Sequence, residues 1–589
     1  MSYPSPRHRR GATPGRAGAA AIATTLATTA LVLTGPAAQA APTSSTTLVV
    51  NANQTLRSVT HVGTGSLYGL ADNSTPADSL VSALKPNTFV QMAPGGHQLP
   101  NGEPAPAGDA LVVAPKAARA GAKVVIRMPD WYPDFPYKWV SMSDWLSAVD
   151  TQIASVKSSG ATNIAAWAIW NEPDLNWDTA KAGPFNTAWN TTYKEIRSKD
   201  TTTPIQGPSY SSWKQSDMNT FLTQAKANNT VPDVIAWHEL QGSANIAAHV
   251  SAYRSLESSL GISPRPIDIE EYGTPSEMGN SGALVGYAAK FERAGVRDAE
   301  LAFWNHYGTL GDTLTDTGGS PNGSYWTYKW YGGMSGNMLV TTPPAQTGID
   351  GLASLNGAGN QISVLTGGCS GSCAVTVNGL SSLSAFGSTV HVKLEYSPNT
   401  GRTNASSGPI TVSDADYAVS GGSVTVPVAM NDADGYHLVI TPSGTDSSLA
   451  GRYQITNRNS GRALDTLNAG TAQGTSVVQA ASTTGTDQNW TLVAAGSGLY
   501  KIVNQKSGLV LGINSMSTAD GGTALIWGDN GTADHLWQVI PARDGYYKIA
   551  NYNSGRLLGV DQMSTSAGAQ VLQWTDNGTA DHLWRLTSR

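Results

Sequence analysis

The chain has 589 residues, and its charged residues make up 13%, about half of the share that is usual in soluble proteins. The hydrophobic share of 40% excludes a disordered chain, and a net charge of −6 without a basic stripe argues against a nucleic-acid partner. Two cysteines exclude a disulfide scaffold and a multi-cysteine zinc site, and the length predicts about three or four folded units.

The first 40 residues have the layout of a secretory signal peptide. Arg9 and Arg10 belong to a basic start, residues 18–34 form an uncharged stretch, and a small-residue cleavage signal ends at Ala40. We therefore expect residues 1–40 to be removed and the mature protein to be secreted and extracellular. No later segment has about 18 consecutive apolar residues, so we expect no membrane association after cleavage.

From about residue 61 to residue 340, apolar runs with β-forming residues alternate with helix-like stretches. Such alternation predicts parallel strands joined by crossover helices, most simply a (β/α)8 TIM barrel. No Gly-x-Gly-x-x-Gly pattern follows a strand here, so a dinucleotide-binding fold has no support. The candidate strands include residues 88–92, 123–128, 164–170, 234–238, 267–272 and 300–306, and the candidate helices include residues 145–158 and 288–294.

Polar residues cluster where these runs end. Asn171 and Glu172 follow the run that closes with Trp170, and Glu270 and Glu271 lie at the end of a later one. The C-terminal ends of the strands form the active site of TIM-barrel enzymes. Two carboxylates that face each other there can carry out glycoside hydrolysis, one as the proton donor to the leaving oxygen and the other as the nucleophile. This reaction requires no metal and no organic cofactor.

The sequence from Trp170 to Pro173 (Trp-Asn-Glu-Pro), with a Glu271-Tyr272 strand end about 100 residues later, resembles the clan A retaining glycoside hydrolases. Within that clan the pattern is most similar to family 39, the group of β-xylosidases, α-iduronidases and arabinose-releasing exo-enzymes. The resemblance spans about residues 45–442. The chain departs from the family at Asp174, where family 39 often has Asn.

The resemblance implies a role for each matching residue. Glu172 matches the general acid/base, Asn171 the residue that hydrogen-bonds the 2-hydroxyl of the sugar, and Glu271 the nucleophile. Glu270 is a rival nucleophile, and strand alternation favours Glu271, which shares a face with isoleucines that could fill the barrel interior. The other substrate-binding candidates are His238, Tyr272, Trp304 and Tyr307, and the rim residues with an equally open structural role are Arg127, Asp130, Trp131, Glu239 and His306.

Residues 341–442 are rich in Gly, Ser, Thr and Val and contain alternating strands. This segment resembles the β-sandwich that accompanies family 39 barrels, and residues 41–60 are expected to supply its first strand. Cys369 and Cys373 lie in this domain, and export would let them form a disulfide, with two free thiols as the alternative. Residues 443–449 form a short polar linker to a separate C-terminal core.

Residues 450–589 contain three repeats with a constant period of 47. One such unit cannot bury its own apolar face, whereas three units around an axis can. The layout resembles the ricin-type β-trefoil lectins, a family of carbohydrate-binding modules whose Gln-x-Trp closing motif repeat one keeps in Gln488 and Trp490. The repeats begin at Tyr453, Tyr500 and Tyr547 and close at Trp490, Trp537 and Trp584, which are expected in the core.

A sugar site in this fold needs a carboxylate or amide for vicinal hydroxyl groups and an aromatic face for the C–H surface of the ring. Repeats two and three offer both, whereas repeat one has Ala480 where the others have Trp, so its site is expected to be weaker. The candidates are Asp561, Trp574 and Asn577 in repeat three, Asn514, Trp527 and Asn530 in repeat two, and Asp465 in repeat one.

These features predict a secreted, monomeric, retaining glycoside hydrolase that a lectin module tethers to a polysaccharide. The preferred substrate is an arabinose-, xylose- or galactose-containing side chain of arabinogalactan or arabinoxylan, from which a mono- or disaccharide is released. The alternatives are endo-cleavage of a polysaccharide backbone, transglycosylation, and a carbohydrate-binding protein with an inactive barrel. The intact pair of Glu172 and Glu271 argues against an inactive barrel.

Overall fold

The computed structural model describes residues 44–97, 108–302, 309–311, 313–442, 449–496, 498–542 and 545–589. The predicted signal peptide, most of the predicted linker, and the candidates Trp304, His306 and Tyr307 lie outside these residues. Within the described ranges, no helix is both long enough and apolar enough to cross a membrane.

After a first strand, β1 (Thr47–Ser58), the described chain forms a closed barrel of eight parallel strands, which confirms the predicted barrel. The strands are β2 (Gly65–Leu67), β3 (Thr88–Met92), β4 (Lys123–Arg127), β5 (Ile164–Ala168), β6 (Ile205–Tyr210), β7 (Val234–Glu239), β8 (Ile267–Tyr272) and β9 (Asp298–Leu301). The candidate strands above did not include β2, which is very short, or β6. Strands β4 and β8 lie opposite each other in the ring, so long side chains at their C-terminal ends can meet across the barrel mouth.

Helices connect and cover these strands. They are α1 (Asp78–Ser82), α2 (Ala110–Arg119), α3 (Met142–Ser159), α4 (Pro173–Asn176), α5 (Thr179–Ala182), α6 (Phe185–Lys199), α7 (Gln215–Ala227), α8 (Ile246–Ser259), α9 (Ser281–Ala294) and α10 (Gly323–Gly333). In α3 the hydroxyl of Ser141 caps the first turn, and Gly160 ends the helix in the left-handed region. Trp145, Val149 and Ile153 are buried and recur every four positions, so one face of α3 packs on the barrel.

The first strand and the segment after the barrel form a nine-stranded sheet in the order β15-β14-β17-β12-β11-β10-β1-β13-β16. The new strands are β10 (Asn337–Thr342), β11 (Asp350–Leu355), β12 (Ile362–Gly367), β13 (Gly371–Asn378), β14 (Thr389–Ser397), β15 (Ile410–Ala418), β16 (Val424–Met430) and β17 (Gly435–Pro442). All nine strands supply residues to one hydrophobic core, so the sheet folds over itself as a sandwich. Cys369 and Cys373 form a disulfide with a Cα–Cα distance of 6.6 Å.

The C-terminal repeats form a threefold arrangement of short strands. These are β18 (Gly451–Asn457), β19 (Ala463–Thr466), β20 (Val477–Ala480), β21 (Asn489–Gly496), β22 (Leu499–Asn504), β23 (Val510–Ile513), β24 (Gly522–Trp527), β25 (Trp537–Pro541), β26 (Tyr547–Asn551), β27 (Leu557–Val560), β28 (Val571–Trp574) and β29 (Trp584–Ser588). Strand β29 pairs with β18, which closes the ring of repeats. The closing Trp residues are fully buried, as predicted, and their indole N–H groups donate to the carbonyl oxygens of Leu464, Leu511 and Leu558 at 2.9, 3.0 and 2.8 Å.

Repeats two and three of this trefoil pack directly on the sandwich. Ile540, Ala550 and Leu557 belong to the same hydrophobic core as the sandwich strands. The N–H of Ala429 also donates to Gln538 Oε1 at 3.3 Å. The expectation that a short linker alone joins the lectin to the rest of the protein is therefore wrong. An apolar edge of the sandwich is covered by the lectin, which holds the two domains together.

Candidate active site

Glu172 lies just after β5, at the C-terminal end of the barrel. Its backbone has the left-handed conformation (φ 49°, ψ 54°), and its N–H donates to the carbonyl of Ser209 at 2.9 Å. Pro173 then begins α4, a position in which its missing N–H has no cost. A non-glycine residue holds this conformation only when its surroundings enforce it. The turn therefore fixes the direction in which the Glu172 side chain leaves the backbone.

Glu271 lies at the C-terminal end of β8 and forms a buried ion pair across the barrel mouth. Its Oε1 is 2.8 Å from Nη1 of Arg127, the last residue of β4. The side chains retain only 7% and 3% of their accessible surface. An ion pair this deeply buried is strong only if its geometry is good, and the close contact fixes the position of the Glu271 carboxyl group.

The structure brings Glu172 and Glu271 together around His238. Nδ1 of His238 lies 3.3 Å from Oε1 of Glu172 and 3.8 Å from Oε2 of Glu271. One polar side-chain atom from each of the three residues lies within 4.8 Å of the corresponding atoms of the other two. The sequence predicted His238 as a substrate contact, whereas in the structure it lies between the two carboxyl groups.

Strand alternation favours Glu271 over Glu270 for the wrong reason, because the side chains of both residues reach the site. Asp268 and Glu270 point into the barrel, where Glu270 Oε1 accepts from Gln206 Nε2 at 2.6 Å. Regular alternation would then turn Glu271 towards the helices. Instead, Trp237 of β7 pairs with Ile269, and the next residue of β7, His238, pairs with Glu271, so that the pairing skips Glu270. This irregularity in β8 turns Glu271 to the mouth as well.

The charges of the site are mutually dependent. Burial disfavours the protonated form of His238, but Glu271, Glu172 and Glu270 outweigh that effect and raise its pKa to about 10. Burial disfavours the carboxylate of Glu270, yet His238 and Arg127 lower its pKa overall. The site thus places two cationic side chains among the glutamates.

Glu172, His238 and Glu271 are also the one group of metal-ligand type found among the described residues. A histidine must be neutral to bind a metal, and a ligating carboxylate must be free to face the ion. Here His238 favours the protonated form, and Glu271 is bound by Arg127. The donor set therefore fits an internally compensated acid/base site better than a metal centre.

Asn171 is 3% exposed, and its side-chain oxygen has no hydrogen-bond partner among the described residues. A buried amide oxygen of this kind is ready to accept a hydrogen bond from a bound hydroxyl group. Beside Arg127, Asp130 accepts hydrogen bonds from Tyr68 (2.8 Å) and Tyr137 (2.9 Å). Burial raises the pKa of Asp130 to about 6. Neither Tyr68 nor Tyr137 could be found from the sequence, because neither lies at a recognisable strand-end motif.

Tyr272 is a correction to the predicted site. It is fully buried, and its hydroxyl donates to the carbonyl of Gly63 at 2.7 Å and lies 2.5 Å from that of Tyr328. Its ring packs against Tyr287 and Phe291 of α9. Tyr272 therefore joins β8 to the helical layer and does not face the mouth. Glu239 has a similar structural role, because it accepts from Trp237 Nε1 at 2.7 Å and contacts His249.

The lectin candidates differ in accessibility. Trp527 and Trp574 are 37% and 40% exposed, as a sugar platform requires. Asn514 is also exposed, and Asp561 is half-buried. The exposed Asn577 accepts the backbone N–H of Thr579 at 3.2 Å, and Asn530 does the same for Thr532 at 3.1 Å, so both amides also shape their own turns.

Asp465 is not the counterpart of Asn514 and Asp561, which is a second correction. Its equivalents at the period of 47 are Gly512 and Gly559. Asp465 is 7% exposed and accepts from Gln488 Nε2 at 2.9 Å. In repeats two and three, the imidazoles of His535 and His582 occupy the space that a side chain on Gly512 or Gly559 would need. Repeat one therefore fills this position with an Asp and a Gln, whereas repeats two and three fill it with a Gly and a His.

Comparisons with known proteins agree with this architecture. Residues 437–527 and 533–589 match the family model described as "Ricin-type beta-trefoil lectin domain-like", so the C-terminal region is a ricin-type β-trefoil lectin domain. The solved structure of N2152 from Neocallimastix frontalis is 35% identical, with a TM-score of 0.64, and the match covers 67% of this chain and 99% of N2152. The chain belongs to the same family as N2152.

Two relatives with named activities are also similar. The 3-O-α-D-galactosyl-α-L-arabinofuranosidase of Bifidobacterium longum subsp. longum is 29% identical over 69% of this chain and 41% of its own length. The 3-O-β-L-arabinopyranosyl-α-L-arabinofuranosidase of Bifidobacterium pseudocatenulatum is 29% identical over 66% of this chain and 47% of its own length. The chain thus spans less than half the length of these curated relatives. Both are glycosidases by name, and the finer assignment to family 39 stays a prediction.

Proposed function

We propose that this protein is a glycoside hydrolase that acts on arabinose-containing glycans by a retaining, double-displacement mechanism. The observation that carries this proposal is the pair of carboxyl groups at the mouth of the barrel, whose oxygens approach within 4.8 Å. Retaining enzymes hold their two carboxyl groups about 5 Å apart, whereas inverting enzymes need roughly 6.5–9.5 Å to admit a water molecule. The short separation favours direct attack by one carboxylate.

In the first step, Glu271 attacks the anomeric carbon while Glu172 gives its proton to the leaving oxygen. The bond from the carbon to the leaving oxygen breaks as the bond to Glu271 forms. Arg127 holds Oε1 of Glu271, which leaves Oε2 as the oxygen free to attack. Asn171 supports the proposal, because its amide oxygen, which has no hydrogen-bond partner in the described part of the chain, suits the 2-hydroxyl of the sugar.

In the second step, Glu172 is ionised and takes a proton from a water molecule that attacks the glycosyl-enzyme. The ester bond to Glu271 breaks, and the sugar leaves with the configuration it had in the substrate. Glu172 has 11% of its side chain exposed, so water can reach it from the mouth. The same intermediate could pass to a sugar acceptor, which would make the enzyme a transglycosylase.

The substrate class rests on the two curated relatives, whose names denote α-L-arabinofuranosidases for 3-O-substituted units. We infer that this chain likewise releases an arabinose-containing mono- or disaccharide from side chains of arabinogalactan or arabinoxylan. The exposed Trp527 and Trp574 would bind the same polymer. We also propose that the protein is a monomer and that it is secreted. Secretion is supported by residues 1–40, which have the layout of a signal peptide, and by the location of plant polysaccharides outside the cell.

The test is a panel of aryl α-L-arabinofuranosides, aryl β-D-xylosides, arabinogalactan and arabinoxylan, with the products separated and identified. We expect an arabinose-containing mono- or disaccharide, and nuclear magnetic resonance of the first product should show the retained anomer. A ladder of oligosaccharides would indicate endo-cleavage. Polymer binding without any product would instead indicate an inactive barrel.

A further inference from the structure

Glu270 has no part in the double displacement described above, yet it is a buried acid directly behind the reacting groups. It has no exposed surface. Gln206 binds its Oε1, whereas Oε2 has no hydrogen-bond partner among the described residues. Burial of a carboxylate is costly unless a nearby positive charge compensates it. The group that can do so lies on the next strand.

His238 is that group, and its two ring nitrogens face different partners. Nδ1 faces the two residues proposed to react, Glu172 at 3.3 Å and Glu271 at 3.8 Å. Nε2 lies 3.9 Å from Oε2 of Glu270, and neither atom has another partner among the described residues. Such gaps are common in unliganded sites and close when the substrate binds.

We propose that Glu270 is a positioning residue that holds His238 as an imidazolium. The Nδ1–H of this imidazolium donates a hydrogen bond to Glu271 before the first step and to Glu172 after it. This inference rests on the proposed function. Attack by Glu271 removes its negative charge, and loss of its proton gives Glu172 a negative charge. The charge thus moves from one oxygen near Nδ1 to another. A fixed cation between the two stabilises both states without reorganisation.

Arg127 cannot replace His238 in this role. Its guanidinium is bound to Glu271 on the β4 side of the mouth. Among the described residues, the cationic partner within ion-pair distance of Glu172 is His238. If His238 were neutral, Glu172 would become a buried carboxylate without a neighbouring cation in the glycosyl-enzyme. The second step would then be slowed most.

The surrounding titratable groups allow the effect of His238 to be separated from theirs. The three glutamates keep the pKa of His238 near 10, well above neutral pH. Asp130, which packs beside Arg127, has a pKa of about 6, so its titration falls on the acid side. Burial raises the pKa of Tyr68 well above its usual value, so Tyr68 stays neutral. Burial also raises the pKa of Asp268, near the start of β8, to about 7, and loss of the Glu270 charge would lower it. In a variant without that charge, a change between about pH 7 and about pH 9 therefore reports on His238.

The variant that tests the proposal is Glu270→Gln, which keeps the size of the side chain and an oxygen for Gln206 but removes the charge. The pKa of His238 should fall from about 10 towards its usual value, so kcat/KM should drop about tenfold between about pH 7 and about pH 9, a loss that the parent does not show. The matched control is Glu292→Gln, which likewise removes a buried glutamate paired with a cation, Arg57, and which has no contact with His238 among the described residues. Its pH profile should follow that of the parent.

A second measurement does not depend on activity or on the variant. The ¹⁵N shifts of histidine side chains, assigned with His238→Gln, should show His238 as an imidazolium at about pH 8 in the parent. A neutral His238 there would overturn the proposal, as would a Glu270→Gln enzyme whose pH profile runs parallel to that of the parent. If the parent hydrolyses no glycoside while His238 is charged, the proposed function fails and the protonation of His238 stands.

Discussion

The mouth of the barrel and the core of the lectin both bury tryptophans and polar groups, but the surroundings of those polar groups differ. In the lectin, each closing Trp donates to a backbone carbonyl, and the same bond occurs in all three repeats. In the barrel mouth, Asn171, His238 and Glu270 each keep a buried polar atom without a partner among the described residues. Buried polar atoms without such a partner also occur in the lectin, for example Nδ1 of His535 and of His582. Those of the barrel mouth differ because they lie among charged side chains, where a ligand can use them.

A similar contrast exists within the lectin. The closing Trp584 has no exposed surface, whereas Trp574, ten positions earlier, is 40% exposed. Both are large aromatic residues of the same repeat, and only their positions relative to the threefold core differ. Residue type alone therefore does not indicate whether a Trp of this repeat belongs to the core or is available to a sugar, whereas its accessibility does. The following variants test both contrasts, beginning with the largest expected effect.

Glu172→Ala should reduce hydrolysis of natural glycosides by about 10³-fold, because the leaving oxygen loses its proton donor. Aryl glycosides with very good leaving groups should keep their first step. Added azide should then restore turnover and give a glycosyl azide of retained configuration, detected by nuclear magnetic resonance. An azide product of inverted configuration would contradict the retaining mechanism, and unchanged hydrolysis would contradict a catalytic role for Glu172.

Trp584→Ala should destabilise the lectin by about 3–5 kcal/mol, since it leaves a cavity in the core and an unpaired carbonyl on Leu558. The matched control Trp574→Ala should cost less than about 0.5 kcal/mol, because an exposed ring leaves no cavity. Chemical denaturation followed by tryptophan fluorescence measures both. Equal losses would show that the exposed Trp is also part of the core.

Replacing Trp527 and Trp574 together by Ala should weaken binding to an arabinose- or galactose-containing polysaccharide roughly tenfold, because two aromatic platforms are lost. Hydrolysis of a small soluble substrate should stay unchanged. Pull-down on insoluble polysaccharide measures the binding of the variant, and thermal unfolding confirms that the variant is folded. A folded variant that binds like the parent would show that Trp527 and Trp574 are not the sugar platforms.

Lys548→Ala should lower the free energy of unfolding by about 1 kcal/mol, because Lys548 pairs with Asp576 and its Nζ lies 3.4 Å from the hydroxyl of Tyr396 in the sandwich. Lys501 is the equivalent residue of repeat two and pairs with Asp529 on a more exposed surface. Lys501→Ala should therefore cost less than about 0.5 kcal/mol. Equal effects in chemical denaturation would contradict a role for Lys548 in holding the lectin on the sandwich.

Several features could be predicted from the sequence because they depend on local patterns. The period of 47 predicts the threefold core and the burial of Trp490, and strand–helix alternation predicts the closed barrel. Other features could not. The register shift in β8 depends on the pairing with β7, so alternation gave the wrong reason for choosing Glu271. Tyr272 was assigned to the mouth because its motif ends a strand, although its ring packs on α9.

The sequence by itself determined which residues could react, since the motifs at the ends of two strands contain Glu172 and Glu271, and it determined that three similar units form the lectin. Only the tertiary structure decided how these groups are charged and held. Arg127 and His238 lie far from both glutamates along the chain and meet them only where barrel strands converge. The lectin likewise packs on the sandwich through apolar residues such as Leu557. Electrostatic and packing energies depend on distances in space, and a linear pattern does not contain those distances.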